Sequence, residues 1–130
     1  MQIFRGAAVP LQPADAQTFG GRARTKRLAS GGAGVVVYHV EFEDGGRTNW
    51  HTHSGVQWLL IIEGRVKVQK SGERAHEVTA GDAVMIGTGE KHWHGAAPGS
   101  RGVHIAVNLN FTTEWLEPVS DEDYLHSPTI

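Results

Sequence analysis

The chain has 130 residues, a formal charge of -2 and no cysteine. That is the length of one ordinary domain, with room for a core and a single site; the near-neutral charge gives no field to gather nucleic acid or an anionic membrane, and the missing thiols exclude both a disulfide frame and a thiolate metal site. Residues Met1 to Pro13 lack the basic start and long apolar run of a secretory signal, and no stretch reaches membrane-spanning length, so the expectation is a soluble cytoplasmic protein with neither nucleic acid nor membrane as partner.

Seventeen glycines recur between short runs rich in Val, Ile, Thr and aromatics, the punctuation of an all-β sandwich or barrel. After prolines at 10 and 13, Arg22 to Leu28 places Arg22, Arg24 and Lys26 on one face, as a charged edge strand with a solvated side would. Ser30-Gly31-Gly32 turns the chain into Val35 to Phe42, where Val36, Tyr38, Val40 and Phe42 share a face expected to point inward. Glu43-Asp44-Gly45-Gly46 is a turn signal, followed by Arg47 to His53, a break at Ser54-Gly55 and the apolar run Val56 to Ile62. Arg65 to Lys70 and Ala75 to Val78 read as a hairpin, Ala83 to Ile86 and Lys91 to Ala96 as short strands, and Arg101 to Phe111 as a long closing strand. The tail from Trp115 contains one helical turn at Asp121 to Leu125. No candidate helix is long enough to organise a core, so the weight falls on one β-barrel spanning residues 1 to 130.

His51 and His53 sit at i and i+2, which on a strand puts both imidazoles on one face. Such a pair is a weak signal alone. Here Gln57 follows across a Ser-Gly turn, and His92 opens a second such pair, His92-Trp93-His94, after another glycine turn. Three imidazoles and an amide oxygen on neighbouring strands could surround one divalent ion and leave positions free for a small-molecule substrate or water. Gln57 could equally stand behind a histidine and orient it. His94 shares the face of His92, either lining the pocket or serving structure, and alternation with Ala106 and Asn108 points His104 inward. Trp50, Trp58 and Trp93 read as core or barrel-wall aromatics, and His39, His76 and His126 as surface residues.

From Gly45 the chain reads glycine, five residues, His51-Thr52-His53, three residues, Gln57, six residues, Gly64; from Gly81 it reads glycine, five residues, Gly87, one residue, Gly89, two residues, His92. This resembles the two cupin motifs, about 45 to 64 and 81 to 96, with Gln57 in place of the usual glutamate and Gly87 where proline is common. The resemblance implies a small jelly-roll-like cupin barrel, a homodimer or homotetramer, with metal on His51, His53, Gln57 and His92. Gly45 to His53 and Gly89 to Pro98, with the tail Glu117 to Tyr124, further resemble the small manganese-dependent hydroxynitrile lyases of bacteria. Carried over residue by residue, that likeness implies manganese, with iron, zinc or nickel as alternatives, and His104 as general base. It also implies Asn108 near the substrate and Tyr38 and Val40 on the pocket wall, where those lyases carry smaller side chains.

A neutral Gln57 beside three neutral imidazoles leaves a divalent ion with its full charge, which favours an alkoxide or enolate as it forms. His104 could take a hydroxyl proton and so expel a leaving group such as cyanide. The same parts could serve an iron-dependent dioxygenase or a non-redox isomerase of unsaturated sugar acids. They could also form a metal-containing binding module without turnover, although nothing is appended here to read out a signal.

Overall fold

A computed structural model describes residues 1–130. In chain order the strands are β1 (Gln12–Pro13), β2 (Phe19–Gly20), β3 (Ala23–Gly31), β4 (Val35–Phe42), β5 (Arg47–Thr48), β6 (His51–His53) and β7 (Gln57–Lys70). There follow β8 (His76–Thr79), β9 (Ala83–Ile86), β10 (His92–Ala96), β11 (Gly102–Leu109) and β12 (Thr113–Trp115), then one short helix, α1 (Asp121–His126). All strand pairing is antiparallel, and the sheet curls on itself as the all-β reading expects.

The fourteen residues of β7 hold the architecture together. Its first half pairs with β11 and β9, in the layer that continues through β4, β3 and β1. Its second half pairs with β10 and β8, in the opposite layer with β5, β6, β2 and β12. The strand passes between layers at Gly64, whose φ is +66°, and a Cβ there would collide with the carbonyl oxygen of Arg101. Only glycine meets both conditions.

Register then dictates which side chains meet. On the inner face of the first layer Val40, His104 and Ile61 form one cross-strand row, Tyr38, Ala106 and Leu59 a second, and Val36, Asn108 and Gln57 a third. Leu59, Ile61, Val66, Ile86 and Ala106 make the main core between the layers, with Val40, Phe42 and Ala96 beside it. A third cluster lies outside the second layer, where Trp50 and Trp93 pack against Val119 and Tyr124 of the tail. Ser120 caps α1 by accepting from the Asp123 amide, and Tyr124 locks it down by donating to the Ala96 carbonyl while Lys67 reaches the Tyr124 carbonyl at 2.6 Å.

Trp50 and Trp93 are core, as expected; Trp58 is not. Because Gln57 and Leu59 point inward, strand alternation turns Trp58 outward, where it is 40% exposed beside Leu60, Ile62 and Met85. His76 and His126 are exposed, while His39 is partly buried with Nε2 3.1 Å from Glu41 Oε2.

Gly64→Ala should destabilise the protein by at least about 2 kcal/mol, from left-handed strain plus displacement of the Arg101 backbone. Urea unfolding of the two proteins measures it, and a difference under about 0.5 kcal/mol would show that the crossing does not need glycine.

Candidate metal centre

His51 on β6 faces His92 on β10 directly across an antiparallel pair, and His53 lies two residues along the same face. The ring centroids are 4.2 Å apart for His51 and His92, 4.8 Å for His53 and His92, and 4.9 Å for His51 and His53. One nitrogen from each of these buried residues lies within 4.8 Å of the other two, a cluster positioned to bind one metal ion. Backbone carbonyls set two of the three rings: Nδ1 of His51 donates to the Asn49 carbonyl at 2.8 Å and Nδ1 of His92 to the Glu90 carbonyl at 2.7 Å. Each bond fixes the tautomer and leaves Nε2 with its lone pair, the form in which imidazole ligates.

Gln57, at the start of β7, supplies oxygen chemistry to the same cavity. Its Nε2 donates to Asn108 Oδ1 at 2.8 Å, while its Oε1 is buried with no hydrogen-bond partner, as is His92 Nε2. Buried acceptors left without donors are costly, and a cation satisfies both at once. The residues present therefore fit a divalent ion.

The cavity, of about 440 Å³, lies between the two layers. His51, His53, Gln57, Tyr38, Val40, Asn108, His94 and His104 all line it, so the structure brings together every residue expected at the pocket, with His92 against the ring of His51. His94 lines the cavity and touches His104. Its Nδ1 lies 3.1 Å from Nε2 of His104, and the outer nitrogens of the pair, His94 Nε2 and His104 Nδ1, are buried without partners. One proton shared along the inner contact leaves the pair with one free lone pair and one N–H on those outer nitrogens, whichever tautomer holds.

Pocket residues with no local signal in the chain are Phe111 and Trp115, carried back over the cavity by the segment after β11: Phe111 stacks on His53 at 4.2 Å and Trp115 lies 4.5 Å from His51. Thr25 and Arg27 also line it, on the face of β3 opposite Arg24 and Lys26. Strand period would have found them.

No aspartate or glutamate lines the cavity. Burial pushes the imidazoles toward the neutral form: His51 falls to about 2, helped by neighbouring His92 and His53, His53 to about 4 and His104 to about 3. Burial likewise lowers His92, and lowers His94 strongly with the His104 ring beside it. All five are neutral at neutral pH, and all but one, the ring that accepts in the His94–His104 contact, keep a free lone pair.

The chain is 37% identical over 129 residues to an (R)-mandelonitrile lyase from Granulicella tundricola, covering 95% of this chain and 98% of that protein. A crystal structure of a cupin-like protein from Thermotoga maritima superposes with a TM-score of 0.86 at 35% identity, over 89% of this chain and 92% of that one. The polyketide cyclase RemF of Streptomyces resistomycificus shares the fold at a TM-score of 0.76 and 19% identity, over 97% of this chain and 90% of that one. The cupin domain itself matches residues 38–107, a span that holds all five buried histidines, and the chain belongs to the cupin family.

Proposed function

We propose that this cupin is a metal-dependent lyase that cleaves and forms cyanohydrins. The observation that carries the reading is the position of His104: fully buried, coupled to His94, and opening on the cavity that the metal cluster faces. Likeness to an (R)-mandelonitrile lyase along nearly the whole chain supports it.

His51, His53, His92 and Gln57 would hold the ion, manganese in our reading, which when bound supplies Lewis acidity toward a developing oxyanion. His104 takes the proton of the substrate hydroxyl at Nδ1, with its Nε2–H donated to His94 Nδ1. The oxygen lone pair forms the carbonyl as the carbon–carbon bond to the nitrile breaks and its electrons leave on cyanide. The aldehyde and cyanide carry no proton from that hydroxyl; it stays on His104 until returned to cyanide or solvent. Asn108 holds the Gln57 amide through its NH₂ and so keeps the oxygen free. Phe111, Trp115 and Val40 keep water from the reacting groups.

The outward row of Trp58, Leu60, Ile62 and Met85, continued by Ile105 and Val107, is an exposed apolar face that we assign to a homodimer.

The first test is cyanide release from mandelonitrile by protein stripped of metal and reloaded anaerobically with manganese, iron or zinc. Manganese-dependent release is expected, and His104→Ala should lower kcat about 10²- to 10⁴-fold while one metal per chain is retained. Full activity in that variant would remove His104 from the chemistry; no release from metal-loaded protein would remove the lyase.

The acid limb tests the burial of the base. A base works unprotonated, and burial holds His104 down to about 3, so kcat/KM should stay within about twofold from pH 8 to pH 5.5 rather than halving near 6.5 as for a solvated histidine. Stability of the metal-free protein has a different window. The unfolded histidines titrate near 6.5 and the folded ones lower, so stability is intact above 6.5 and falls as pH drops toward 4, read as a declining Tm. A limb at 6.5, or a Tm flat across that range, contradicts a dry histidine cluster.

Trp58→Lys should convert the dimer to monomer in sedimentation velocity without lowering helix or strand content; a wild type that is monomeric at micromolar concentration would sink the assigned interface.

A further inference from the structure

Arg27 is the one side chain lining the cavity that carries a formal charge at neutral pH, and it has no partner. The other titratable groups there are histidines held neutral by burial and the phenol of Tyr38, and no carboxylate lines the wall. Arg24, Arg65 and Arg101 lie elsewhere on the barrel and pair with Glu41, Glu77 and Glu63 respectively, whereas the Arg27 guanidinium makes no ion pair and no side-chain hydrogen bond.

Its placement follows from the register. Arg27 sits across from Tyr38, and Tyr38 across from Ala106, so Arg27 stands two strands from β11, roughly 10 Å in backbone terms. His104 lies two residues from Ala106 on the same face. The pairing of β3 with β4 slips immediately after Arg27, between Arg27 and Ala29, an irregularity of the kind that re-aims a side chain at a barrel rim. Thr25, two residues earlier, adds a hydroxyl on the same face. Exposed to solvent yet lining the cavity, the guanidinium marks the mouth, with the imidazoles at the floor.

We infer that Arg27 is a specificity-determining residue that pairs with a carboxylate on the substrate, set several bonds from the reacting carbon, about as far as the two ends of a para-substituted benzene ring. The inference rests on the cavity being the substrate site of the proposed lyase and names the substrate class: hydroxylated molecules with an anionic far end rather than wholly neutral ones. Guanidinium geometry suits a carboxylate through two parallel N–H donors, and a bound ring between Tyr38 and Phe111 would shield the pair from water.

Binding without turnover separates this inference from the lyase reading. The manganese-loaded protein is titrated calorimetrically at low ionic strength with 4-(hydroxymethyl)benzoate and, separately, with benzyl alcohol. The carboxylate should bind about tenfold tighter than the alcohol in the wild type. That ratio should collapse toward one in Arg27→Gln, invert in Arg27→Glu, and shrink in high salt as an exposed pair is screened. A ratio near one in the wild type overturns the inference, as does one that survives in Arg27→Gln, which would place the carboxylate on the metal cluster instead. Mandelonitrile left uncleaved by the same protein bears on the lyase reading alone.

Discussion

The site exists because one strand belongs to both layers. β7 pairs with β11 in one sheet and β10 in the other, so the two inner faces confront each other at a separation and register fixed by a single continuous backbone. Gly64 makes the passage possible by combining a left-handed backbone with the close approach of the Arg101 carbonyl. Upstream of that point β7 offers Gln57 beside Asn108 and sets His104 opposite Ile61; downstream it pairs with β10, which brings His92 against His51. His51, His53, His92 and His94 thus come from one sheet and Gln57 and His104 from the other, so the histidine pair bridges the layers and every one of these side chains stands on a strand, which suits a site whose donors must be preorganised.

Five imidazoles enclosed together would repel one another if charged, and burial already disfavours the charge. Both effects act in the same direction, so the protein holds five neutral rings, with a free lone pair on each of His51, His53 and His92 and one more on the hydrogen-bonded His94–His104 pair. The arrangement costs stability, since His53 Nδ1, Gln57 Oε1, His92 Nε2, His94 Nε2 and His104 Nδ1 are all buried without partners. A divalent ion offsets that cost where the cluster gathers. The outer nitrogens of the His94–His104 pair, which spans the two layers, stay unpartnered and open on the cavity. Because no carboxylate enters the cavity, the charge of such an ion is undiminished toward an oxyanion.

Much of this was legible in the chain, and what was not has identifiable causes. Glycine turns between period-two runs announced the barrel, and two histidine pairs at strand spacing announced the cluster, because both signals are local. Val56 to Ile62 hid its own alternation: Leu59 and Ile61 face the core, Leu60 and Ile62 face outward, and both sets are apolar, so Trp58 was read only as core or barrel wall although its neighbour Gln57 turns it outward. Along Arg22 to Leu28 the alternating charges of Arg22, Arg24 and Lys26 drew the reading to one face, and Thr25 and Arg27, on the other, went unread. The contact between His94 and His104 joins strands ten residues apart and has no sequence signature. Phe111 and Trp115 reach the cavity only because the chain doubles back along β6. The tail was expected as one helical turn, but that its Tyr124 anchors to Gly45, Ala96 and Lys67 is a long-range fact.

The inner face of the first layer also explains where a substrate has room. In the row Tyr38, Ala106, Leu59 the middle position carries a methyl between a phenol and a leucyl side chain, so the wall is recessed at Ala106. Along β11 that recess is flanked by His104 on one side and Asn108, tied to Gln57, on the other. On the proposed lyase reading, a carbinol carbon seated there would have His104 and the Asn108–Gln57 amides at its two sides. Tyr38 closes the recess toward β3 and would direct the remainder of a bound molecule along its ring, toward the mouth where Arg27 stands. A smaller residue at 38 would open the recess sideways and loosen that direction. On the proposed reading the bulk of Tyr38 and the charge of Arg27 would act on the same property, the orientation of an elongated substrate, through packing and electrostatics respectively.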